Sequence, residues 1–214
     1  MIEKTGTFGG LTVTYEVVLP DGYDAAKEYP VVVVFTGGPQ LLRGAESTLN
    51  SDWRAEAERR GYIVVSPATP NGEMFYDGAD RIFPDFFDQL LRDYKVRGGT
   101  FHIAGHSNGG FSAFHIAGKF PQYVATVTGY PGLFNGAADL SRAPGLKGVC
   151  LFMHAGERDP WWKQGMEEQT RDLKRQGYRI SMTVEPKQSH RIRAAEVNLS
   201  PRLFDEIESC QTSR

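Results

Sequence analysis

The residues best suited to chemistry lie together at Gly105-His106-Ser107-Asn108-Gly109-Gly110, a string of the form G-x-S-x-G. A serine there becomes a nucleophile when it stands on a sharp strand-to-helix turn with a base at hand to take its proton. The flanking glycines answer a packing need, because a Cβ at either position would strike the adjoining strand or helix. As a bare string the motif is weak, and a glycine-rich turn with a bystander serine is the plain alternative. Its surroundings favour the chemical reading: Thr100 to Ala104 precedes it as a strand, and about Gly109 to Lys119 follows as a helix that stops before Pro121.

Such a turn needs a sheet to carry it. Val31 to Phe35 and Tyr62 to Ser66 are continuous, β-branched runs, as expected of strands buried on both faces of a parallel sheet. Between them Ser51 or Asp52 is suited to cap a helix that runs to Arg60 and stops at Gly61. Phe83, Phe86, Phe87, Leu90, Leu91 and Tyr94 fall at helical spacing ahead of the Thr100 strand. Strands near Val124 to Thr128 and Val149 to Met153 follow, then a helix from about Trp162 to Gln176. Alternation over Tyr178 to Val184 predicts a less buried strand towards one edge, and Ser200-Pro201 opens a terminal helix through Glu208. Alternation of Leu11, Val13, Tyr15 and Val17 predicts an antiparallel edge strand. The pattern is that of a single α/β domain over residues 1–214, mostly parallel in its sheet, with its ligand site at the carboxyl ends of the strands.

The chain has 214 residues and a formal net charge of -2, which argues against a nucleic-acid or anionic-membrane partner held by charge. Its 40% of hydrophobic residues suffice for a core. The longest apolar run is far too short to span a membrane, and Met1-Ile2-Glu3-Lys4 is no signal sequence, so the expectation is a soluble, cytoplasmic protein. Two cysteines, Cys150 and Cys210, support neither a disulfide framework nor a four-cysteine zinc site. No G-x-G-x-x-G follows the first parallel strand and no G-x-x-x-x-G-K occurs, which sets aside nicotinamide dehydrogenases and P-loop enzymes.

With its Gly-His-Ser-Asn-Gly-Gly turn in this context, the chain resembles the α/β-hydrolase superfamily from about Leu11 to Glu208. The resemblance implies a nucleophile, an acid and a histidine in that chain order, the acid after a late strand and the histidine after the last. Ser107, Asp159 and His190 match those places; Asp159 is preferred to Glu157 on the same loop. His190 would act as general base and Asp159 would fix its tautomer and stabilise the imidazolium. His102, His106 and His115 lie inside a strand, the turn and a helix and read as packing residues, while His154 either lines the pocket or lies beneath it. A metal held by His154, Glu157 and Asp159 has no ligand spacing to support it.

Two backbone N–H groups should hold the oxyanion, one from Asn108 and one from Thr36-Gly37-Gly38-Pro39-Gln40, with Gly38 the expected donor. Thr36 stands where many family members have histidine. The short chain is similar to small esterases of the feruloyl-esterase and dienelactone-hydrolase type, although the latter use a cysteine where this chain has Ser107. Gly129 to Gly148 leaves no room for a sizeable cap. Phe75, Tyr76, Trp161 and Trp162 are candidate walls for an aromatic substrate, Trp161 being assigned to substrate binding, or else are packing residues at helix starts. The reading implied is a cofactor-free and metal-free serine carboxylesterase acting on soluble short-acyl or aromatic esters. Thioesterase or peptidase activity on the same residues, or a silent binding module on the same scaffold, are the alternatives.

Overall fold

The computed structural model describes residues 1–212. The chain opens with an antiparallel hairpin of β1, Ile2–Phe8, and β2, Leu11–Val18, turned at Gly9 and Gly10 with φ of 52° and 77°. β2 is therefore not the edge strand that its alternation suggests. β1, polar along most of its length with only Phe8 buried, covers it and forms the edge.

β3, Tyr29–Phe35, enters the sheet next, and every one of its residues is buried. A helical run follows as α1, Leu42–Thr48, a π-helical turn over Leu49–Trp53, and α2, Arg54–Arg60, closed by Gly61 at φ 79°. The helix thus begins well before the expected cap at Ser51 or Asp52. Its buried residues Ala45, Leu49, Trp53 and Ala57 repeat every four positions. That spacing drifts by about 40° per step round a helix of 3.6 residues per turn, and the wider π turn takes up the drift.

β4, Ile63–Pro67, is likewise buried throughout. α3, Asp85–Asp93, leads to β5, Val96–Gly105, then α4, Asn108–Lys119, and β6, Val124–Gly129. The connection to β7, Cys150–Gly156, holds only α5, Gly136–Leu140, and a 3-10 turn over Ala143–Leu146, so among the described residues this connection builds no cap domain over the strand ends. α6, Pro160–Arg175, β8, Arg179–Glu185, α7, Ala194–Val197, and α8, Leu199–Thr212, complete the chain.

The eight-stranded sheet has the order β1-β2-β4-β3-β5-β6-β7-β8, antiparallel through β2 and parallel from β4 to β8. Period-two alternation divides its side chains between two cores. Val31, Val33 and Phe35 pack with Phe86 and Phe87 of α3, Phe114 of α4 and Met166 of α6. Val32 and Val34 face the other way, onto Leu49 and Trp53 and onto Leu203 and Phe204 of α8. Cys150 and Cys210, too few for a framework, nonetheless pair with each other, with Cα atoms 6.2 Å apart, and join α8 to β7 beside Phe152. No helix among the described residues is long and apolar enough to cross a membrane.

Candidate active site

Ser107 occupies the turn between β5 and α4 at φ 58° and ψ -123°, a conformation that non-glycine residues rarely adopt. The turn is held by Ser107 N–H donating to the Pro131 carbonyl at 2.8 Å. A Cβ on Gly105 would lie 2.1 Å from the Gly109 carbonyl oxygen, and one on Gly109 would lie 2.0 Å from that of Phe35. Both glycines are therefore required by backbone closeness, as the motif implies.

His190 reaches Ser107 from the loop after β8. Its Nδ1 is 2.7 Å from Asp159 Oδ2 and its Nε2 is 2.8 Å from Ser107 Oγ. A carboxylate only accepts, so Nδ1 carries the proton and Nε2 offers its lone pair to the serine hydroxyl. The Asp159 side chain is 11% exposed and that of His190 46%, leaving the base open to solvent and to substrate. Asp159 directly precedes α6, and its carbonyl accepts from Lys163 N–H. Glu157 turns elsewhere: its carboxylate accepts Lys187 N–H at 2.8 Å and braces the histidine loop from outside. The same loop is tied down by Arg158 N–H to the Gln188 carbonyl and by Gln188 Oε1 accepting Arg193 N–H at 2.9 Å.

The N–H groups of Gly38 and Asn108 have no acceptor within the protein among the described residues. Gly38 sits at φ 61° in the turn after β3, and its carbonyl accepts Asn108 Nδ2 at 2.9 Å. One side chain thus links the two backbone segments expected to hold an oxyanion. Thr36, at the position where the resemblance leads one to expect histidine, is buried and bonds Thr48 through their hydroxyls at 2.8 Å. Gln40, which no motif singles out, is fully buried at φ 54°, donates to Ser112 Oγ at 2.9 Å and accepts Phe75 N–H at 3.2 Å. The hint in the sequence is a lone amide side chain between Pro39 and Leu41-Leu42, where the turn would otherwise expose a polar group.

Three of the other histidines are held structurally, while His106 lines the cleft. His102 bonds Thr126, and His115 lies between Asp139 and Asp80. His154 is wholly buried and does not line the cleft; it lies 2.9 Å from Glu185 and 3.0 Å from Glu206, while Arg202 donates to Glu185 at 2.7 Å. Burial works against a charge on His154, but the two carboxylates prevail and raise its pKa. With Glu157 on Lys187 and Asp159 on His190, these three do not converge as ligands.

Of the four aromatic candidates, Phe75 is a core residue packed on Phe35 and Phe83. Trp162 is buried between Phe111, with ring centroids 4.6 Å apart, and His190, at 5.6 Å. Tyr76 packs on Phe111, and Trp161 stands on the rim, 66% exposed, edge-on to Trp162. Trp161 lines a shallow hollow with Leu133 and Gln164, separate from the cleft of about 410 Å³ that holds Ser107 and His190.

No protein-family model matches the chain. Among curated proteins, dipeptidyl-peptidase 5 of Porphyromonas gingivalis is 32% identical over 141 residues, which are 60% of this chain and 20% of the relative. The protein of the same name from Porphyromonas endodontalis is 29% identical over 148 residues, with the same shares. The chain spans about a fifth of the length of these curated relatives. Among solved structures, a thermostable esterase superposes with a TM-score of 0.75 at 18% identity, covering 98% of this chain and 62% of that one. A serine-to-alanine mutant of the feruloyl esterase module from Clostridium thermocellum, complexed with sinapinate, gives 0.74 at 17%, covering 96% and 88%. The chain has the α/β-hydrolase fold.

Proposed function

We propose that the protein is a serine hydrolase of carboxylic esters. The observation that carries the reading is the hydrogen-bonded run from Asp159 through His190 to Ser107, with the unpaired amides of Gly38 and Asn108 beside it. In this reading Ser107 Oγ attacks the ester carbonyl as its proton passes to His190 Nε2. The oxyanion is held by the Gly38 and Asn108 N–H groups, and Asp159 stabilises the imidazolium. Collapse expels the alcohol, protonated by His190, and leaves an acyl group on Ser107. Water, deprotonated by His190, then releases the acid and restores the serine.

The open strand ends and the exposed base suit soluble esters with short or aromatic acyl groups, and no metal or organic cofactor takes part. Treatment with a fluorophosphonate followed by mass spectrometry should place the label on Ser107, and Ser107→Ala should lower ester turnover by about four to six orders of magnitude with the fold intact. A loss below about tenfold would remove Ser107 from the mechanism. A nitrophenyl ester series from acetate to palmitate, beside methyl ferulate, tests the substrate class, and a specificity constant rising steadily to palmitate would refute it. The relatives named as dipeptidyl-peptidases favour a second reading, amide hydrolysis on the same residues, and turnover of dipeptidyl nitroanilides faster than nitrophenyl acetate would establish it in place of the first.

A further inference from the structure

The cleft beside Ser107 has one polar wall that ester cleavage does not use. It is built by Ser47, Thr48, Ser51 and Asp52 of the helical run after β3, with Tyr130 and His106 alongside and Arg191 at the mouth. The π turn over Leu49–Trp53 bears Asp52, and Trp53 Nε1 locks the turn by donating to Tyr130 Oη at 2.7 Å. π turns of this kind recur at functional sites.

Among the carboxylates of this helical run, Asp52 is the one that lines the cleft. Glu56 is paired with Arg59 and Arg60, and Glu58 with Arg54, whereas Asp52, like Glu46, is half-buried and forms no ion pair among the described residues. Burial pushes its pKa up, against a contact with Ser51 and the charge of the exposed Arg191. His106 adds a second unsatisfied group, since its Nδ1 is buried without a hydrogen-bond partner among the described residues. Burial first, then the charges of Arg191 and His190, hold His106 down to about 4, so its ring is neutral at neutral pH. This wall therefore presents a poorly compensated carboxylate, hydroxyls and a neutral imidazole. An apolar ester group there would strip Asp52 of water and return nothing, whereas a cation would restore the lost solvation.

We propose that Asp52 is a specificity residue that selects ester substrates carrying a positively charged amine on the Ser51–Asp52 side of Ser107. The proposal rests on the serine-hydrolase reading above. The cationic group lies against the Asp52 carboxylate and the hydroxyls around it, and the scissile carbonyl reaches the Gly38 and Asn108 amides.

The test uses two isosteric pairs, so that the amine is placed in turn on the acyl and on the alcohol. Nitrophenyl β-alaninate is compared with nitrophenyl butyrate, and choline butyrate with neohexyl butyrate. The wild-type protein should prefer the cationic member of one pair by about tenfold in kcat/KM. Asp52→Asn should bring that preference within about twofold, through KM, while the neutral esters stay within about threefold of wild type. Equal kcat/KM within both pairs, or a preference that survives in Asp52→Asn, would overturn the proposal while leaving ester hydrolysis standing. Turnover of none of the four would overturn the hydrolase reading and the proposal with it. If Asp52→Asn does not fold, the wild-type comparison decides alone, with choline against neohexanol as inhibitors of nitrophenyl butyrate hydrolysis: choline should inhibit more strongly, and equal inhibition counts against the proposal.

Discussion

Opening the Cys150–Cys210 bridge should weaken the fold by an amount that its loop length sets. The bridge spans a sequence separation of 60 and fastens α8 to β7, the strand that leads to Asp159. In the chain-entropy model, a loop of that length restricts the unfolded ensemble by about 14 cal/mol/K, or about 4 kcal/mol at 25 °C. For a chain of this size that corresponds to a fall of about 8–16 °C in thermal midpoint. Reduction of the unaltered protein is the cleaner perturbation, because Cys→Ser would also place a hydroxyl in the apolar pocket beside Phe152. Guanidinium unfolding with and without dithiothreitol gives the stability difference, and alkylation with mass spectrometry reports the state of both thiols. Phe204 of α8 packs on Trp53 and Tyr62, and Leu199, Leu203 and Ile207 join the same core independently of the bridge, so the reduced protein should still fold and keep its ester turnover. A closed bridge whose reduction changes stability by less than about 0.5 kcal/mol would refute the loop-entropy reasoning. Free thiols in the untreated, air-oxidised protein would refute the pairing itself.

Asp159→Asn should cost at least about a hundredfold in ester turnover, while Glu157→Gln, which keeps an acceptor for Lys187 N–H, should stay within about threefold; the reverse order in kcat would reassign the acid. Asn108→Ala removes the bond from Nδ2 to the Gly38 carbonyl and should lower kcat by about tenfold with KM little changed, because it loosens the oxyanion donors without touching the nucleophile; an unchanged kcat would show that the Gly38 turn holds by itself. His154 is raised and Glu185 lowered in pKa, so their contribution to stability is largest between the unfolded values of 4.5 and 6.5. It is lost as pH rises through the folded His154 value and as pH falls through the folded Glu185 value. Thermal midpoints of wild type and His154→Gln between about pH 5 and about pH 9 should converge on the alkaline side, and parallel curves would contradict the assignment.

The parts of the fold legible in the sequence are those whose residues are decided by burial alone. Val31 to Phe35 can sit only between two packed faces, and the interior strands follow from the same rule. β1 escapes because its side chains are mostly solvated, and Gly6 with Thr5 and Thr7 gives no apolar alternation to read. The true start of α1 escapes because a four-residue spacing broken by a π turn does not resemble an ordinary amphipathic period. At the site, Ser107 is legible because strand, glycines and helix are contiguous in the chain. His190 and Asp159 are legible only through the family resemblance, and only the fold shows them 2.7 Å apart. Phe75 and Trp162 illustrate the opposite failure: an aromatic near a strand end looks alike in sequence whether it lines a cleft or packs beneath it. The Cys150–Cys210 pair is a contact between chain segments too distant for any local signal.

What keeps the three central side chains in register is a set of backbone contacts between the segments that bear them. The Ser107 turn leans on the Pro131 carbonyl after β6. Gly156, at the end of β7, lies so near the histidine loop that a Cβ there would stand 2.2 Å from the Ser189 carbonyl oxygen, one residue before His190. Glu157 and Arg158 then bond that loop at Glu185, Lys187 and Gln188. Asp159 and His190 are therefore set by paired backbones more than by their own hydrogen bond. The loop carrying an exposed base can thus stay ordered without a cap above it, because its ordering entropy is met by bonds to β7 rather than by burial. The opposite wall is fixed just as firmly through Thr36 on Thr48 and Trp53 on Tyr130. On the serine-hydrolase reading, an open cleft between two rigid walls discriminates by the charges already present on those walls, which is why Asp52 is the residue where specificity is to be sought.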